Sequence, residues 1–279
     1  MIRVGTSSLP GAAGRLAWTL ALFLLLLPAT AGLTASTTPP SVDEIVERFL
    51  RQAQAAADAE ARHEISYHRR TRIEELAGDG AVEQTRSKEH AVTNRAGVIR
   101  AVLVKVDDRE PSDREARSDR KTDSEARRES GRRRNGPDFL DEGLVRRFQY
   151  TLEGEEQIDG RRVYRLSYEP KPVVAGAGKD FDRILSLLHG HLWIDAEQYE
   201  LVKVEARLRS ALKLLGGIAG SLNRLDFAIV RRPVRDGHWA NVLLTSQAEG
   251  RKLFSAFRAR VLVEQDEFQI RPLPPAPGS

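Results

Sequence analysis

Cysteine is absent from this chain of 279 residues. That excludes disulfides, thiol catalysis and cysteine-ligated zinc, and it excludes a lipid-modified cysteine after a leader. Long apolar runs are also scarce. Only Leu16 to Leu27 (LAWTLALFLLLL) stands out, and no other stretch is long and apolar enough to cross a membrane. Recognisable reaction motifs are missing too: there is no G-x-S-x-G, H-E-x-x-H or phosphate-loop pattern. The glycines at 216, 217 and 220 lack the preceding strand and following lysine that a phosphate cradle demands.

The apolar run follows Arg3 and Arg15 and is closed by Pro28, after which Ala29-Thr30-Ala31 supplies small residues at the signal-peptidase spacing. It falls short of the ~20 residues a spanning helix needs. Residues 1–31 are therefore expected to be a secretory signal, cleaved near Ala31, that sends the protein to the periplasm. An uncleaved anchor is the lesser reading. Roughly 250 remaining residues suffice for one sizeable core. The formal charge is +4 and the pI about 9.5. In an exported protein this excess points to solubility, with peripheral contact to an anionic membrane surface as a second reading and nucleic acid set aside.

Residues 32–40 (GLTASTTPP at 32–40) read as a linker. Ser41 and Glu44 then make a capping box, and Val42, Ile45, Val46, Phe49, Leu50 and Ala53 recur at helical spacing. Extended segments follow at 64–75, 82–93 and 98–106, the first two joined around Asp79-Gly80. Residues 107–137 carry ten basic and nine acidic side chains and almost nothing apolar. Such a segment cannot bury enough surface to offset its ordering entropy, so a solvated insertion, disordered or transiently helical, is expected. Its Arg132-Arg133-Arg134 is better read as a solvated charge run than as a phosphate contact.

From Phe148 to Leu208 the chain reads as two antiparallel hairpins. Tyr150 and Leu152 alternate with polar residues, Asp159-Gly160 forms a tip, and Tyr164, Leu166 and Tyr168 alternate in turn. Leu192 and Ile194 repeat the pattern, and Val202, Val204, Ala206 and Leu208 are expected to face one way. Further strands are expected at 225–230, 239–247 and 253–264, with a turn at Glu249-Gly250-Arg251 and a disordered tail at 270–279. The fold class is α+β: a curved antiparallel sheet, an open half-barrel of about nine strands, wrapping an N-terminal helix.

The helix VDEIVERFL, the run YTLEGEEQIDGRRVYRLSYEPK, the hairpin HLWIDAEQYELVKVEARL and the later VRDGHWANVLL and GRKLFSAFRARV resemble the LolA-like superfamily of outer-membrane lipoprotein-sorting proteins, with this chain as a relative rather than the carrier itself. The resemblance spans about 41–269. It implies a half-barrel whose interior holds an acyl chain of a lipid or lipoprotein, with no enzymatic activity and no cofactor. The charged insertion departs from that pattern, and the family's lid-locking arginine has no clear counterpart.

Among single residues, His189-Gly190-His191 is the closest pair of the six histidines, and no carboxylate cluster stands at metal-ligand spacing from it. Asp195 reads as a turn residue rather than a general base. The apolar set Phe49, Tyr150, Leu152, Tyr164, Leu166, Tyr168, Leu192, Ile194, Val202, Val204, Leu208 and Phe227 is the candidate lining of an interior. It forms a packed core if the helix fills the sheet, and a dry cavity if the sheet curls too far. LKLLGGIAG at 212–220 is a candidate lip. The expected ligand is a lipid or lipoprotein acyl chain. The competing reading is a periplasmic sensor or interaction module that meets an envelope protein, and a hydrolase is a distant third.

Overall fold

The computed structural model describes residues 39–121, 142–172, 180–214, 220–235, 237–252 and 255–274. The expected leader, most of the linker, residues 122–137 of the insertion and 215–219 of the lip lie outside the described residues. The fold below is that of the unit Pro40–Ser279.

Helix α1 (Val42–Glu60) starts where the capping box placed it. Ser41 is extended (φ −67°, ψ 159°), and its hydroxyl accepts the Glu44 amide at 3.2 Å. Ile45, Phe49, Leu50 and Ala53 are buried along one stripe. Eleven strands follow: β1 (His63–Leu76), β2 (Val82–Arg95), β3 (Val98–Val106), β4 (Phe148–Ile158), β5 (Arg161–Pro170), β6 (Leu188–Asp195), β7 (Leu201–Leu208), β8 (Leu212–Leu214), β9 (Gly220–Arg235), β10 (His238–Lys252) and β11 (Ser255–Pro272). They form one antiparallel sheet in the order β3-β2-β1-β11-β10-β9-β7-β6-β5-β4, with β8 added on β9. The sheet is open, ends in β3 and β4, and wraps α1. The last strand lies against the first, so β9 to β11 join the two hairpin groups.

The tips follow local chemistry. Asp159 (φ 50°) and Gly160 (φ 76°) are both left-handed, as a tight two-residue hairpin requires. Ala96 and Gly97 do the same between β2 and β3.

Three expectations are corrected. Glu249-Gly250-Arg251 is not a turn but lies within β10, which runs on to pair Lys252 with Ser255. Glycine is needed at 250 for close approach, since a Cβ would stand 2.2 Å from the Ser221 carbonyl oxygen and 2.9 Å from the Phe257 ring. The chain is also ordered beyond 269: Arg271 and Pro272 pair with Glu64 and His63, and the Leu273 amide bonds Arg62 O at 2.8 Å. Finally, the described part of the charged insertion has regular structure. Residues 113–121 are helical (α2), opened by a second capping box in which Glu115 accepts from the Ser112 amide at 2.8 Å and hydroxyl at 2.6 Å. Two short helices, α3 (Glu142–Val145) and α4 (Asp180–Leu185), complete the described elements.

Candidate functional site

Strand register sets what the helix-bearing face presents, because alternate residues share a face and directly paired residues share it across strands. One transverse row runs Leu152, Leu166, Leu192, Val204, Ile229, Leu244, Val263, Thr71 and Lys88, each paired with the next. The adjacent row runs Tyr150, Tyr168, Gly190, Ala206, Phe227, Ser246, Val261, Ile73 and Arg86. Both rows stay largely apolar from β4 to β11 and end in cations on β2.

Helix α1 covers only part of these rows. Its Ile45, Phe49, Leu50 and Ala53 pack with Tyr164, Leu166, Ile194, Val204 and Ile229, while Phe227 and Leu244 are only half-buried at the border. Beyond that border Val261 and Val263 are half-buried, and Ile73 and Phe257 are each 38% exposed.

A cavity of about 40 Å³ sits between the sheet, α3 and α4. Tyr150, Tyr168, Leu192, Val204 and Phe227 line it from the sheet, together with Phe148, Leu188 and, from the short helices and their ends, Leu144, Val145 and Leu185. Its two hydroxyls are turned out of the way. Tyr168 donates to Glu205 O at 3.0 Å and Tyr150 to Val145 O at 2.8 Å. Burial pushes both phenols above their ordinary pKa. The β6–β7 approach depends on Gly190, where a Cβ would stand 1.9 Å from Glu205 O.

The twelve candidate lining residues thus divide. Tyr150, Tyr168, Leu192, Val204 and Phe227 border the cavity. Phe49, Tyr164, Leu166 and Ile194 are packed core, and Leu152 and Leu208 are half-buried against it. Val202 is the exception. It lies on the opposite face, packed with Val163, Trp193 and Trp239. A bulge causes this: the pairing shifts between Trp193↔Lys203 and Ile194↔Leu201, so Leu201 takes the inward place and the alternation that grouped Val202 with Val204 breaks.

Asp195 is a turn residue, as expected. Its Oδ1 accepts the amides of Glu197 (2.9 Å) and Gln198 (2.7 Å), and Oδ2 meets Arg161 at 3.2 Å. His191 lies against Glu153 and Arg165, each at 3.4 Å. Among the described residues no group of three or more His, Asp or Glu side chains could hold a metal ion, and no helix is long and apolar enough to cross a membrane.

Sequence reading missed a buried ion pair. Arg231 donates to Glu200 at 3.1 Å and to Trp239 O at 3.1 Å, while Gln52 of α1 donates to the other Glu200 oxygen at 3.0 Å. The only available signal was an arginine at an inward position of a strand.

No family model matches the chain, and no curated protein matches it. Solved structures are similar at low identity. The lipoprotein LppX of Mycobacterium tuberculosis is 12% identical, with 84% of this chain and 99% of that one covered and a TM-score of 0.32. A LolA superfamily protein of Nitrosomonas europaea is 10% identical, with coverages of 80% and 94% and a TM-score of 0.29. The MucA/MucB complex of Pseudomonas aeruginosa gives 10%, 81% and 99%, and 0.22. Likeness this loose does not place the chain in a family.

Proposed function

We propose that this is an exported, non-enzymatic periplasmic protein that binds an acyl chain of a lipid or lipoprotein on the helix-bearing face of its sheet. One observation carries the reading: the transverse apolar rows continue past the core under α1, through Phe227 and Leu244 to Val261, Val263 and Ile73, with Phe257 further along the same face of β11, and Ile73 and Phe257 are exposed. From β9 to β1 this is three strand spacings, about 14 Å. Each methylene buried there contributes ~0.8 kcal/mol. The cavity of about 40 Å³ is far below the ~300–1,000 Å³ of pockets that enclose small molecules. The guest therefore lies along the open rows rather than beneath α1, and the cavity marks where α3 and α4 can separate to lengthen the groove. Five of the twelve residues singled out from the sequence line that cavity.

The test is mass spectrometry of organic extracts from gently purified protein, with titration of a fluorescent fatty acid. Co-purifying lipid and saturable, displaceable binding are expected. Repeated absence of both contradicts the reading.

A second reading is a periplasmic sensor or interaction module of the same fold, in which the edge strand β3 pairs with an envelope protein. Its support is that Val98 and Val102 on this edge are 55% and 64% exposed. Val102→Lys abolishes partner capture under this reading and leaves fatty-acid binding unchanged under the first.

A further inference from the structure

At the β1–β2 end of the apolar rows the chemistry changes. Arg69 stands directly between Gln265 of β11 and His90 of β2, on the same face as Thr71 and Ile73. Two polar atoms here are buried without a hydrogen-bond partner: Arg69 Nε and His90 Nδ1. His90 is only 5% exposed. Among the described residues Arg69 has no ion-pair partner, whereas its neighbour Arg70, on the other face, pairs with Asp266. A half-buried guanidinium with no anion beside it is costly, and the buried Nε–H cannot turn to water. Apolar groups frame the site: Val92 is buried, and Tyr67 stacks on Phe268 with ring centroids 5.3 Å apart.

We propose that Arg69 and His90 form a binding site for an oxyanion, a carboxylate or phosphate, placed to hold the head of the amphiphile whose chain lies on the neighbouring rows. The proposal rests on the acyl-binding reading and deepens it. Arg69 is the charge partner and points a guanidinium fork at the anion.

His90 makes the site proton-linked. Its Nε2 lies 3.1 Å from Asp119 Oδ2, contributed by α2, and Asp119 also takes Lys88 at 2.8 Å. Burial works to raise the Asp119 carboxyl, but the bonds from Lys88 and His90 outweigh it and hold the group below its usual range. Asp119 is thus ionised and Nε2 carries the proton. Burial, with the charge of Arg69 next, pushes His90 below its ordinary value, so near neutral pH its Nδ1 is a bare lone pair. Arg69 and Lys88 oppose a second proton on the ring, and Asp119 favours it. A docked oxyanion cancels the charge of Arg69 and accepts from a protonated Nδ1. Binding then takes up a proton and tightens as the pH falls below neutral.

The experiment titrates the full chain with dodecanoate, dodecyl phosphate, uncharged dodecanol and inorganic phosphate. In the wild type, the two charged amphiphiles bind about 10- to 100-fold more tightly than dodecanol. Arg69→Gln removes that difference without changing dodecanol affinity, and Arg69→Lys restores part of it. The advantage of dodecanoate grows at pH 6, and His90→Gln abolishes the growth. Unfolding curves of each variant establish that it is folded. Equal binding of dodecanoate and dodecanol by the wild type, or an advantage that survives Arg69→Gln, overturns the oxyanion site and leaves the acyl reading standing. Inorganic phosphate that binds alone as tightly as dodecyl phosphate identifies the free anion as the ligand; much weaker binding identifies a headgroup. If no amphiphile binds, the acyl reading fails. The oxyanion site then survives only if inorganic phosphate binds the wild type and not Arg69→Gln.

Discussion

Arg231→Met removes the cation from the buried pair that ties α1 to the sheet. In the wild type the two side chains are 6% and 5% exposed, and three hydrogen bonds satisfy them, from Arg231 to Glu200 and to Trp239 O and from Gln52 to Glu200. Methionine fills much of the same volume, so lost packing contributes little. What remains is a buried carboxylate holding one bond from Gln52 and a Trp239 carbonyl that has lost its guanidinium donor. Breaking a buried pair by removing one partner costs about 3–5 kcal/mol. Urea unfolding followed by tryptophan fluorescence reads that loss as a lower midpoint at unchanged slope. Adding Glu200→Gln to Arg231→Met neutralises the stranded charge, and the double variant is more stable than Arg231→Met alone. A loss below about 1 kcal/mol, the worth of an exposed pair, refutes the claim that these charges are desolvated. A double variant less stable than Arg231→Met refutes the claim that stranded charge causes the loss.

Gly190→Ala forces a Cβ against Glu205 O, which is backbone and cannot swing aside, so thermal unfolding should show a loss of more than about 2 kcal/mol together with weakened β6–β7 amide protection. Val202→Ser should lower stability by about 2 kcal/mol and leave fatty-acid affinity unchanged, because Val202 packs on the face away from α1; a matching loss of affinity contradicts its placement. Stability should also fall as the pH rises above about 10. Tyr150 and Tyr168 have raised folded-state pKa values, so the unfolded chain loses these protons first, and the stability present below its ordinary phenol pKa drains away as the pH climbs toward the folded values. Tyr150→Phe with Tyr168→Phe should flatten that decline in alkaline unfolding curves.

Much of the fold was legible wherever a local rule acts alone. The capping box at Ser41 sets the start of α1, and Asp159-Gly160 sets a hairpin because that dipeptide tolerates two left-handed residues. A second capping box, Ser112 with Glu115, was legible too but was masked by the surrounding charge; composition pointed to a solvated run where local hydrogen bonding forms α2. The bulge beside Trp193 was not legible. A single extra residue inverts the alternation, and no residue type announces it, so Val202 was assigned to the wrong face. Gly250 carries the general difficulty of reading glycine. The same residue marks a turn or a close approach, and only the Ser221 carbonyl and the Phe257 ring across the sheet decide between them. The pairings of Arg231 with Glu200 and of His90 with Asp119 join residues 31 and 29 positions apart, through register rather than local sequence.

Whether the apolar rows beyond the cover of α1 hold an acyl chain is read by titrating a fluorescent fatty acid against the wild type and Ile73→Glu. Ile73 is 38% exposed and lies outside the packed core, so the charge costs little folding stability but sits in the path of the guest. Saturable binding by the wild type and at least a tenfold loss in Ile73→Glu at an unchanged unfolding midpoint are expected if the acyl chain lies on these rows. Equal affinity in the two proteins, or no binding by either, contradicts that placement.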